Sequence, residues 1–212
     1  MPNIILHHLN NSKSQRVLWL LEELGLDYDV KFYERQQGFA PPEMRAIHPL
    51  GKSPIVEIDG AVMAESGAIV EFLVDRYGAG RLAPPRSSAN YGRYLEMLHY
   101  AEGSASMPVV FPLFLGAFGV ESEAFQGYAM GQIALQLDYI SGILAGRDYL
   151  VGEDFSAADL QLAFILQTAR GLGFLKDRPD LLAYLARLED RPAYKRALEK
   201  GGAFDLSFGR GG

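Results

Sequence analysis

Along the first eighty residues the apolar positions change period repeatedly. "NIILHH" (3–8) is a short apolar run of strand character. "SKSQRVLWLLEELG" (12–25) follows with Val17, Leu18, Leu21 and Leu24 on one helical face and Gly25 as a stop. "YDVKFY" (28–33) alternates like a strand, and "PPEMRAIH" (41–48) opens as a short helix on two prolines. "SPIVEI" and "AVMAE" are short strands joined through Asp59-Gly60, a pair suited to a tight hairpin. "ESGAIVEFLVDRY" (65–77) returns to helical spacing with Ile69, Val70, Phe72 and Leu73. The predicted order over residues 1–80 is β-α-β-α-β-β-α.

Composition then shifts. "GAGRLAPPRSS" (78–88) gathers Gly, Pro, Arg and Ser, which places a linker at 81–87. Beyond it every long segment has the helical period: 88 to about 117, 121–145, 156–170, 179–190 and 192–200. A second, all-α domain over 88–212 is expected. Inside it, "EDFSAADLQLAF" sets Ser156 to cap a helix, Asp159 to reach back to the Ser156 N–H, and Phe155 to staple onto Leu160. Caps stabilise a helix by about 0.5–2 kcal/mol without any ligand, so this box reads as structural.

Charge and composition narrow the function. The 20 Lys and Arg against 26 Asp and Glu leave a formal charge of −6, which argues against a nucleic-acid partner. With no cysteine, the chain itself offers no disulfide, thiolate metal site or thiol redox chemistry. His7, His8, His48 and His99 lack metal-ligand spacing, so no metal is expected. "MPNIILHHLN" has neither the basic flank nor the apolar run of a signal peptide, and no stretch reaches 18 apolar residues. A cytoplasmic protein without a membrane partner is expected.

The densest chemistry lies in "GKSPIVEIDGAVMAESGAIVEFL" (51–73). A phosphate loop is excluded: Ala46 stands where G-x-x-x-x-G-K-[ST] needs its first Gly, and Ser53 is followed by Pro54 and a strand instead of a helix. Pro54 cannot donate to a sheet ladder, so it sits at a strand entrance and leaves the Ser53 backbone open to a ligand. Glu65-Ser66 opens a helix, whose free N–H groups and positive dipole end attract an anion. The pair reads either as a plain cap or as a seat for a zwitterion, carboxylate on Ser66 and ammonium on Glu65. Asn10, Asn11, Ser12 and Ser14 crowd the start of the first helix in the same way. An extended peptide could pair with Ser53 while its ends reach Glu65-Ser66 and Lys52.

In these motifs the chain resembles the glutathione transferases over nearly its whole length. It is most similar to the group shared by fungi and bacteria with a "PPE" helix, an "HPLG[KR]SP" loop and "AESG" in the first domain. The matching stretches are "FAPPEMRAIHPLGKSPIVEI", "MAESGAIVEF", "YAEGS" (100–104) and "FSAADL" (155–160). The resemblance implies a thioredoxin-like first domain, an all-helical second domain, glutathione as cosubstrate and a homodimer. It implies that Ser53-Pro54 is a cis-proline position whose Ser53 backbone pairs with the cysteinyl part of glutathione. Glu65 and Ser66 would hold the γ-glutamyl end, and Lys52 the glycine carboxylate. A residue near the start of the first helix would contact the sulfur: Ser12, with Asn11 as the other candidate, since residues 1–27 contain no Tyr.

The thiolate so formed would attack a small hydrophobic electrophile, in detoxification, or a peroxide. Disulfide reduction would run through glutathione alone. A binding or assembly module without catalysis is the alternative of a different class. For the electrophile, Tyr100, Ser104, Met107 and Phe111 recur at helical spacing, a face that serves equally as core. Pro108 and Pro112 are expected to bend or interrupt that helix.

Overall fold

The computed structural model describes residues 2–119 and 122–205. Residue 121, where a helix was expected to begin, and residues 206–212 lie outside the described part. The chain divides into two compact units. One comprises residues up to Ala83 together with Glu189–Asp205, and the other begins at Pro84 and ends at Leu188.

The first unit contains β1 (Ile4–Leu9), α1 (Ser14–Leu24), β2 (Asp29–Tyr33), α2 (Met44–Ile47), β3 (Ile55–Ile58), β4 (Ala61–Ala64) and α3 (Ser66–Tyr77). The sheet order is β2-β1-β3-β4, with β1 and β2 parallel and the other pairs antiparallel. This is the thioredoxin-like arrangement. Asp59 and Gly60 have φ values of 51° and 84°, so the β3–β4 connection is a two-residue turn with both central residues left-handed. Adjacent β1 residues face opposite sides of the sheet. His7 meets the Tyr33 hydroxyl and Glu57 on one side, while His8 meets Ser14 and Gly201 on the other.

Helix α1 is buried almost all round, with only Glu22 and Glu23 partly exposed. Such a helix must be covered on its far side as well as by the sheet. The cover is a further helix of the same unit, Pro192–Gly201, which we number α9 in chain order. Trp19 meets Tyr194 edge to face at 5.0 Å, Arg191 pairs with Glu23 at 2.6 Å, and Arg196 and Lys200 pair with Glu22 at 2.8 and 2.6 Å. Gly201 permits the close approach. A Cβ there would lie 2.5 Å from Leu18 Cδ2 and 3.0 Å from His8 Nε2.

The second unit holds α4 (Tyr91–Tyr100), a π-helical segment (Ala101–Ala105), α5 (Ser106–Ala117), α6 (Glu123–Leu144), α7 (Ala157–Gly171) and α8 (Pro179–Glu189). The expected helix over 88–117 is thus divided. Its widened turn comes just before Pro108, whose missing N–H would leave the Ser104 carbonyl without its α-helical partner. Helix α7 forms the core, buried from Ala157 to Ala169. At its start Asp159 does more than close the box. It accepts hydrogen bonds from Ser156 N–H and Oγ, Leu150 N–H and the Tyr184 hydroxyl, each at 2.8 Å. Phe155 meets Tyr149 edge-on, ring centroids 6.0 Å apart.

Candidate active site

Sheet register gathers the candidate residues of the first unit. His7 of β1 lies opposite Ile55, the first residue of β3, and Ile55 lies opposite Ala64, the last residue of β4. The loop that follows β1, the residues that precede β3 and those that follow β4 therefore emerge at one end of the sheet. They are Asn10–Lys13, Lys52-Ser53-Pro54 and Glu65-Ser66.

Pro54 is buried and its bond to Ser53 is cis. Ser53 is half-buried, and its backbone N–H and C=O meet no partner among the described residues. Its hydroxyl oxygen lies 2.8 Å from that of Ser12. The preceding turn needs Gly51: its φ is +54° and a Cβ would lie 2.5 Å from Arg45 Cγ. Lys52 is exposed and pairs with nothing among the described residues.

Glu65 adopts φ 71°, ψ 111°, a conformation that costs a non-glycine residue about 1–3 kcal/mol. Its side chain is exposed, and its carboxylate meets no donor among the described residues. Ser66 is 3 % exposed and begins α3, where the first-turn N–H groups have no intrahelical acceptors. The buried Arg16 guanidinium donates to Ser66 Oγ at 3.2 Å.

The two sulfur-donor candidates differ sharply. Ser12 is 6 % exposed; its hydroxyl donates to the Leu9 carbonyl at 2.7 Å and receives the Ser14 N–H at 3.2 Å. Asn11 is only half-buried, with φ +50°, a left-handed conformation that asparagine tolerates. Its Oδ1 accepts the Asp205 N–H at 2.7 Å. That contact fixes the amide orientation, because a backbone N–H needs an oxygen. The Asn11 Nδ2 donors have no partner among the described residues.

One supporting residue, Arg35, carries no signal in the sequence. Arg35 donates to the Asn10 carbonyl at 3.2 Å, the Asn11 carbonyl at 2.8 Å and the Gly38 carbonyl at 2.9 Å, and so clamps the loop after β1. Ser14 and His8 lie beneath Ser12. His8 Nε2 is 3.0 Å from the Gly201 carbonyl, and Nδ1 is 2.9 Å from Ser14 Oγ. Burial lowers the His8 pKa, against the opposing pull of the Gly201 bond, and so favours the neutral ring.

The electrophile candidates lie in the second unit. Tyr100 ends α4 and donates to Gln136 Oε1 at 2.6 Å, with burial raising its pKa. Ser104 is exposed in the π segment, Met107 is 59 % exposed on α5, and the Phe111 ring meets Phe125 at 5.1 Å. The π segment shifts the helical phase between Tyr100 and Met107. Among the described residues no group of three or more His, Asp or Glu could hold a metal, and no helix is long and apolar enough to cross a membrane.

A thioredoxin-like unit, an all-helical unit and an open serine backbone before a cis-proline together define a class of two-domain proteins. The sequence model of the glutathione S-transferase N-terminal domain matches residues 12–76, and that of the C-terminal domain matches residues 104–192. Glutathione S-transferase 3 of Schizosaccharomyces pombe is 36% identical over 216 residues, covering 93% of this chain and 87% of its own. Glutathione S-transferase 1 of Saccharomyces cerevisiae is 30% identical over 232 residues, covering 98% and 99%. Among solved structures, a glutathione S-transferase of Actinobacillus pleuropneumoniae superposes with a TM-score of 0.88 at 36% identity, covering 96% of this chain and 95% of the other. A sphingomonad glutathione S-transferase complexed with glutathione gives 0.79 at 27% identity, covering 93% and 98%. The chain belongs to the glutathione transferase family.

Proposed function

We propose that this protein binds glutathione at the sheet end of its first unit, ionises the thiol and directs the thiolate at a small hydrophobic electrophile. What carries the reading is the set of groups gathered there without a protein partner among the described residues: the Ser53 backbone, the Lys52 ammonium, the Glu65 carboxylate and the Asn11 Nδ2 donors. Glutathione needs each of them. Its cysteinyl backbone pairs with Ser53 beside Pro54, its α-ammonium with Glu65, its α-carboxylate with Ser66 and the α3 N-terminus, and its glycine carboxylate with Lys52.

A free thiol of pKa about 8.5 is only a few per cent ionised at neutral pH. Donation from Asn11 Nδ2, with the N-terminus of α1, lowers that value by about one to two units, each worth about 1.4 kcal/mol. Asn11 ranks ahead of Ser12 as the direct donor because its amide protons are uncommitted, whereas the Ser12 hydroxyl is buried and donates inward. The sulfur then forms a bond to the electrophilic carbon, and the leaving group departs with its electron pair. A peroxide is a second acceptor for the same thiolate.

Tyr100, Ser104, Met107 and Phe111 are our candidates for contacting the electrophile. We also propose a cytoplasmic homodimer. The exposed apolar side chains of α5 and α6, among them Met107, Phe114, Met130 and Leu135, support self-association.

Calorimetry with glutathione, combined with a pH titration of the thiolate ultraviolet absorbance, tests the reading. Binding with the thiol ionising at least one unit below free glutathione supports it. Binding without that shift indicates disulfide handling or a non-catalytic module, and no binding overturns it.

A further inference from the structure

The hydroxyls behind Ser53 form a chain whose proton directions follow from the acceptors at its inner end. The Gly201 carbonyl accepts only, so the neutral His8 ring carries its proton on Nε2, 3.0 Å from that oxygen. Nδ1 is then a bare acceptor, and the Ser14 hydroxyl gives it its single proton across 2.9 Å in preference to the Leu9 carbonyl, which lies farther off at 3.2 Å. Ser14 Oγ can thereafter only accept, from the Leu9 N–H at 3.2 Å and from Ser12 at 2.9 Å.

Ser12 has three acceptors in reach of its own proton, the Leu9 carbonyl and Ser14 Oγ on the inner side and Ser53 Oγ on the outer side. Turned inward it donates to the Leu9 carbonyl at 2.7 Å, and its free lone pair accepts the Ser53 proton across 2.8 Å. Turned outward it donates to Ser53 Oγ, which releases the Ser53 proton to whatever lies in front of it. The Ser14 N–H holds Ser12 Oγ in place at 3.2 Å in both states. Neither rotation requires a heavy atom to move.

We propose that the Ser53 hydroxyl is a second contact to the glutathione sulfur and that Ser12, backed by Ser14 and His8, is the positioning residue that reverses its polarity. Ser53 is the half-buried member of the chain, and Ser12, at 6 % exposed, stands behind it. The only polar partner of Ser53 among the described residues is Ser12. With the thiol protonated, Ser12 points inward and Ser53 accepts the S–H. When the thiol proton leaves to solvent water, Ser12 turns outward and Ser53 donates to the sulfur anion. One hydroxyl thus serves both protonation states, while Asn11 can only donate. The family resemblance points to Ser12, with Asn11 as the other candidate, for the sulfur contact; in this proposal Ser12 acts through Ser53.

This inference rests on glutathione binding as proposed above, and one experiment separates the two. The pKa of the bound thiol is measured by thiolate absorbance, alongside glutathione affinity, for the wild type and for Ser53→Ala, Ser53→Thr, Ser12→Ala and Ser12→Ala/Ser53→Ala. Ser53→Ala is expected to raise the bound-thiol pKa by about one unit, a roughly tenfold loss of thiolate at neutral pH, with affinity changed less than about threefold. Ser53→Thr, which keeps the hydroxyl, restores the wild-type value. Ser12→Ala raises the pKa by less, and the double variant shifts no further than Ser53→Ala, because Ser12 has no path to the sulfur except through Ser53. A bound-thiol pKa that Ser53→Ala leaves at its lowered wild-type value overturns this inference and leaves the proposed function standing. The absence of any wild-type shift or binding overturns the proposed function itself.

Discussion

The side-chain oxygen of Asn11 accepts the backbone N–H of Asp205 at 2.7 Å, joining residues 194 positions apart in the chain. The contact occupies the Asn11 carbonyl oxygen and leaves its two N–H donors without a partner among the described residues. Removing the amide should leave the fold intact and cost chemistry. Asn11→Gly, which keeps the left-handed backbone without strain, is expected to lower kcat/KM for an aryl halide about 10²-fold, as loss of one preorganised donor does elsewhere. Thermal unfolding should shift by only a few degrees. Steady-state kinetics and calorimetric melting of the same variant check both halves.

Glu65 offers a carboxylate to the glutathione ammonium. Glu65→Gln should weaken glutathione binding about tenfold, consistent with loss of a charge-assisted hydrogen bond. A glutathione analogue lacking the α-amino group should bind wild type and Glu65→Gln equally. An undiminished difference with that analogue would assign Glu65 some other role.

Asp159 holds four donors in a core where it is 0 % exposed. Asp159→Ala strands the Leu150 and Ser156 N–H groups and the Tyr184 hydroxyl, and should destabilise the protein by about 2–4 kcal/mol in urea. Ser156→Ala removes one of the four donors and should cost about 1 kcal/mol. Equal effects of the two substitutions would contradict the view of Asp159 as a hub.

Acid sensitivity should be concentrated where α1 meets α9. Burial would raise the Glu22 pKa, but hydrogen bonds from Lys200, Tyr28 and Arg196 outweigh it and lower the value to about 2. A carboxylate depressed in the folded state stabilises the fold fully above its ordinary value near 4.5. That contribution is lost as pH falls through about 2. Glu22→Gln should flatten the dependence of stability on pH across this window while lowering stability at neutral pH. Denaturant melts at stepped pH read the slope.

The exposed apolar side chains on α5 and α6 lead to a measurement of size. Light scattering at micromolar concentration should give twice the chain mass of 23.4 kDa. Leu135→Glu, which sets a charge at a position 58 % exposed, should shift the population toward monomer without lowering the melting of the isolated chain.

Local chemistry is legible in the order of residues wherever its cause is local. The period of apolar positions marked the strands and helices of both units, Asp59-Gly60 marked the hairpin, and Ser156 with Asp159 marked the start of α7. Lys52-Ser53-Pro54 and Glu65-Ser66 were readable as candidate elements because a proline and a helix start each leave backbone groups open. The division of the helix at Ala101–Ala105 was only half visible, since Pro108 announces a disturbance but not its form.

Tertiary structure alone decided the rest. The amphipathic pattern of 192–200 says that one face is buried, but not that Gly201 and three basic side chains join it to α1. The Arg35 clamp and the Asp205 contact reach the loop after β1 from distant parts of the chain. Whether Ser12 or Asn11 presents a free donor was undecidable from adjacent positions in one loop. A hydroxyl's direction is set by which acceptors surround it, and those acceptors, Gly201 by way of His8 and Ser14, come into range only when the chain is folded.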